Sequence, residues 1–71
     1  MDRAMLLDHL AQAERHVAEG AEQVSRQIAL IKKLERDGFD TTEAKALLAQ
    51  FEESQALHVA DRDRLRAELG A

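Results

Sequence analysis

No proline occurs anywhere in the 71-residue chain. Alanine, leucine, glutamate, glutamine and arginine, all good helix formers, fill both halves of it. One short segment breaks this uniformity: Asp37-Gly38-Phe39-Asp40-Thr41-Thr42-Glu43. It reads as a stop followed by a start. Gly38 suits the left-handed position that closes a helix, and Phe39 follows it where a side chain packs back on Leu34. Asp40 is a good N-cap, Thr41 is the alternative, and Glu43 completes a capping-box pattern with Asp40. The predicted elements are therefore a helix over about 2–37 and a second over about 41–69, ended by Gly70. So short a connection turns the second helix back on the first. The expected fold is all-α, one antiparallel helical-hairpin domain over residues 1–71. Gly20 is the one isolated glycine inside the first helix, a position that costs on the order of 1 kcal/mol and is tolerated.

Apolar periodicity gives each helix a face. The first carries Leu6, Leu10, Ala13, Val17, Ala21, Val24, Ile28, Ile31 and Leu34, at steps of three and four. In the second, Ala44, Leu48, Phe51, Gln55, His58, Arg62, Leu65 and Leu69 alternate strictly at four and three, a coiled-coil-like seam. That seam is apolar at both ends and polar in the middle, at Gln55, His58 and Arg62. If Leu34 faces Ala44, then Ile28 meets Phe51, Val24 meets Gln55, Gly20 and Ala21 meet His58, Val17 meets Arg62, and Ala13 meets Leu65. The same register would bring Arg26 near Glu52, Arg15 near Asp63 and Glu14 near Arg64, exposed pairs worth only about 0–1 kcal/mol each. Lys32, Lys33 and Arg36 complement the negative end of the first helix, and Asp40 and Glu43 the positive start of the second.

Leu7, Leu30, Leu47, Leu57 and Val59 lie beside the two seams, so the hairpin carries more apolar surface than one seam uses. A two-helix unit encloses no core of its own, and chains of this size commonly gain one by associating. A homodimer forming a four-helix bundle is the expected remedy.

The same composition excludes much chemistry. There is no cysteine, so no disulfide, thiolate metal site or cysteine nucleophile. Ser25, Thr41, Thr42 and Ser54 are the only hydroxyl residues, and none stands in a nucleophile–base pattern. No glycine-rich phosphate loop exists, and the reading is of a non-enzyme needing no cofactor. With a net charge of −4 and two phenylalanines as the only aromatics, nucleic acid is a poor partner. The mixed run Asp61-Arg62-Asp63-Arg64-Leu65-Arg66 reads as a solvated face. No apolar run approaches a membrane span, and no signal peptide is visible, so the expected location is the cytoplasm. His9 and His16 share a face of the first helix, and His58 sits in the second seam. The histidines suit solvent or register roles better than metal binding, since no Glu-x-x-His pattern accompanies them.

Four stretches carry a resemblance: His9 through Gly20, Leu34-Glu35-Arg36-Asp37-Gly38, Phe51 through His58, and Asp61 through Leu65. Over nearly its whole length the chain resembles a group of short bacterial helical-hairpin proteins that carry no assigned activity. In architecture alone it is similar to the Rop-type RNA-binding proteins, whose hairpins dimerise into a four-helix bundle. Three functions are therefore in view: a self-associating structural or protein-interaction module, a Rop-like RNA-binding regulator, and a pH or metal sensor using His58. The first has the most support from the residues.

Overall fold

The computed structural model describes residues 2–70. Two helices pack against each other as a hairpin, α1 (Arg3–Arg36) and α2 (Thr42–Gly70). The boundaries fall within a residue or so of those read from the sequence. Asp2 caps α1, its carboxylate accepting from the backbone N–H of Ala4 at 3.2 Å. Arg3 reaches across the open end of the hairpin and donates to the Leu69 carbonyl at 3.5 Å.

The corner closes through backbone hydrogen bonds. Gly38 has φ +78°, the only positive φ in the described chain. Its N–H donates to Glu35 at 3.2 Å, and the Phe39 N–H donates to Leu34 at 2.9 Å. Together these bonds form the doubly bonded glycine ending known as a Schellman motif. The Phe39 ring does not lie back on the helix as the sequence suggests, for it is 65% exposed. On the other side, the Asp40 carboxylate accepts from both the backbone N–H and the hydroxyl of Thr42, at 3.0 and 2.8 Å. The Thr41 carbonyl takes the first helical bond, from Lys45. Thr41, the alternative read from the sequence, is therefore the N-cap, with Asp40 just before it, and Glu43 lies in the first turn but returns no hydrogen bond to Asp40.

The hairpin is 53 Å long and 14 Å across. Its Cα radius of gyration is 16.2 Å, against roughly 11 Å for a compact chain of this length. Little is fully buried: Ala13, Ile31, Leu65 and one polar side chain, Gln27. The remaining seam residues, Leu10, Val17, Val24, Leu34, Leu48, Phe51 and Leu69 among them, are half-buried. The inward-facing positions of α1 are Leu6, Leu10, Ala13, Val17, Gly20, Val24, Gln27, Ile31 and Leu34, a strict alternation of four and three. Ile28, expected at the interface, is displaced to the edge and stands 38% exposed, and Ala21 is likewise exposed. Gln27 takes the inner place because its amide reaches a carbonyl of α2, described below.

Two outcomes follow at the corner. A side chain at Gly38 meets no atom within 4 Å, so Gly38→Ala isolates the left-handed backbone term. The expected loss is about 1–2 kcal/mol of unfolding free energy in urea titration, without loss of helicity before the transition. Bonds from the Thr42 backbone and then its hydroxyl hold the Asp40 carboxyl below its ordinary value of 3.8. A carboxyl depressed in the folded state stabilises above its unfolded pKa and ceases to do so as pH falls through the folded one. The melting temperature should therefore fall below about pH 4 more steeply in the wild type than in Asp40→Asn, whose cap cannot titrate.

Candidate functional site

The middle of the hairpin, where both seams turn polar, is the candidate site. Gln55 projects from α2 across the interface, and its Nε2 donates to the Val17 carbonyl of α1 at 2.8 Å. The amide can lie that close because Gly20 presents no side chain. A methyl group there would overlap Gln55 Oε1. The orientation of the amide is fixed by chemistry, since a carbonyl only accepts and the nitrogen must face it. Oε1 is left enclosed with no hydrogen-bond partner, the one such side-chain atom among the described residues. An unmatched buried acceptor of this kind costs about 1–3 kcal/mol.

Gln27 makes the complementary bond in the opposite direction. Only 8% exposed, it donates through Nε2 to the Ala44 carbonyl of α2 at 2.9 Å. One glutamine from each helix thus grips the backbone of the other. Gln27 was not legible as an interface residue because apolarity favours its neighbour Ile28. The available signal was the strict four–three alternation of α2, which α1 matches only through Gly20 and Gln27.

These contacts set a register different from the one expected. Gly20 faces Gln55, three positions along α2 from the His58 anticipated opposite it. The charge pairs change accordingly. Glu14 bonds Arg66 at 3.1 Å, where the expected register paired it with Arg64. Arg64 instead spans Asp61 and Glu68 of its own helix, at 2.6 and 3.1 Å, and these bonds, Asp61 first, raise its pKa. Asp63 bonds Arg62 rather than Arg15, and Arg26 forms no ion pair with Glu52. Arg62 lies in the seam with 23% of its side chain exposed, so its stem is covered while its guanidinium reaches Asp63 at 3.0 Å.

The histidines gather on one side. His58, half-buried, meets exposed His16 with ring centroids 5.1 Å apart at a 49° tilt. His9 and His16 line a groove of about 160 Å³ with Gln12, Ala13, Asp61, Arg64 and Leu65. Among the described residues, no group of three or more His, Cys, Asp or Glu is placed to hold a metal ion. Nor is any described helix long and apolar enough to cross a membrane.

No family model, curated protein or solved structure matches the chain.

Opposite signs are expected for one substitution in two backgrounds. Gly20→Ala in the wild type displaces the Gln55 amide and should lose about 1–2 kcal/mol despite alanine's better helix propensity. In Gln55→Ala, the same change should gain about 1 kcal/mol, because propensity then acts alone. Urea unfolding of the four proteins measures both.

Proposed function

We propose that the chain acts as a non-enzymatic protein-interaction module, a helical hairpin that associates with itself into a four-helix bundle. The observation that supports this reading most is surface area. The hairpin exposes 5199 Å². A compact monomer of 8.0 kDa exposes roughly 4450 Å² by the usual mass scaling. The excess of some 750 Å² is close to the ~800 Å² that each partner buries in a standard stable interface. Exposed apolar side chains accompany it, including Leu7, Ile28, Leu30, Leu47 and Leu57. Stacking two hairpins encloses a core that one lacks. The charged outer faces are then left for a further protein partner.

The RNA-binding alternative finds less support, since Arg62, Arg64 and Arg66 are each engaged by a carboxylate. A sensor reading draws on the His16–His58 ring contact. That reading requires a melting-temperature difference between pH 5 and pH 8 that disappears in His58→Gln.

Sedimentation equilibrium tests the leading proposal. The expected mass at micromolar concentration is about twice 8.0 kDa, with a concentration-dependent melting temperature. A helical species of single-chain mass at every concentration would contradict it.

A further inference from the structure

We infer that the second copy docks on the alanine-rich side of the hairpin, with the two corners at opposite ends and the partner's Leu7 seated between Ile28, Ile31 and Leu48. This rests on the self-association reading above and adds to it the face and the orientation.

The two open sides of the hairpin differ in chemistry. Where a seam repeats at four and three, residues seven apart share a side. One side holds His9, Gln12, His16, Asp61 and Arg64, around the histidine groove. It also carries Met5, Leu30, Leu47 and Leu57 as exposed apolar side chains spaced along its length among these polar groups. The other side carries Leu7, Ala21 and Ile28 of α1 and Val59 of α2, flanked by Ala11, Ala18, Ala49 and Ala56. Val59 is half-buried and the rest are exposed. Small side chains along both helices let a second helical layer approach to the 8–10 Å typical of packed helices. Among the described residues, the one ion pair between the two helices, Glu14–Arg66, also lies on this side and is internally neutral.

Shape selects the orientation. Near the corner this face has a groove of about 310 Å³ lined by Ile28, Ile31, Lys32, Glu35, Lys45 and Leu48. Near the open end it carries a projecting side chain, Leu7, 47% exposed. Leu7 and Ile31 lie at nearly equal distances, roughly 18 Å, on either side of the centre of α1. A twofold axis crossing the face at Ala18 and Ala21 therefore lays α1 antiparallel over the partner's α1 and brings each Leu7 to the other copy's groove. With corners at the same end, groove would face groove and both would stay unfilled.

The chain has no cysteine, so a single introduced thiol reports cleanly. A spin label on Phe39→Cys, an exposed corner position, should give an inter-copy distance near the 53 Å length of the hairpin. Ala18→Arg should weaken dimerisation about tenfold or more, while Gln12→Arg on the histidine side leaves it unchanged. A dimer with corners within roughly 25 Å of each other would overturn the orientation, since two packed hairpins with adjacent corners are only a helix layer or two apart. A dimer indifferent to Ala18→Arg but broken by Gln12→Arg would overturn the face. A monomer in the unmodified chain would overturn the self-association reading itself, and this inference with it.

Discussion

The approach of the Gln55 amide to bare backbone at Gly20 is the contact on which the rest of the hairpin depends. Aliphatic packing along a four–three seam is permissive: a slide of one repeat exchanges one leucine or valine for another at small cost. A glutamine that needs a missing side chain opposite it is not permissive. Slid to another position, it would meet a Cβ and lose the Val17 carbonyl. Gln27 works against the carbonyl of Ala44 in the same way. The buried acceptor left on Gln55 shows the direction of the exchange, with some stability given up for one defined alignment. The Gly38 corner fixes where the chain reverses. The glutamines fix how the two helices then lie.

From that alignment the surfaces follow. With Gly20 and Gln27 inward, Ala21 and Ile28 are turned to one edge, in line with Leu7 and the small residues beside it. The hairpin therefore does not spend its apolar residues on its own seam. It leaves a side on which alanines, Leu7, Ile28 and Val59 lie among charged residues, while His9, His16 and Arg64 occupy the opposite edge. The register contact and the proposed docking face are two consequences of one set of positions.

The elements were legible in the sequence because their signals are local. Gly38 and Asp40 mark the stop and start through backbone geometry and capping, which need no knowledge of a partner helix. The α2 seam was legible too, since its four–three alternation passes through polar residues without a break. The α1 seam was legible only in part. At two steps an apolar residue stands next to the true inward one, Ala21 beside Gly20 and Ile28 beside Gln27. Burial of glycine and glutamine at those places makes sense only once the opposing helix supplies an amide and a carbonyl. That is a tertiary fact, invisible to hydrophobic periodicity. The shifted charge pairs and the exposed Phe39 ring have the same origin, because weak surface contacts follow the register and do not set it.

The register is therefore the quantity to measure. Nuclear Overhauser contacts recorded on the wild-type chain read it directly. The Gln55 side-chain amide protons should show cross-peaks to the α-protons of Gly20, and the Gln27 amide protons to the α-proton of Ala44. Cross-peaks linking Gly20 to His58 and Ile28 to Phe51 in their place would mean a hairpin aligned by apolar periodicity alone, and would contradict this account.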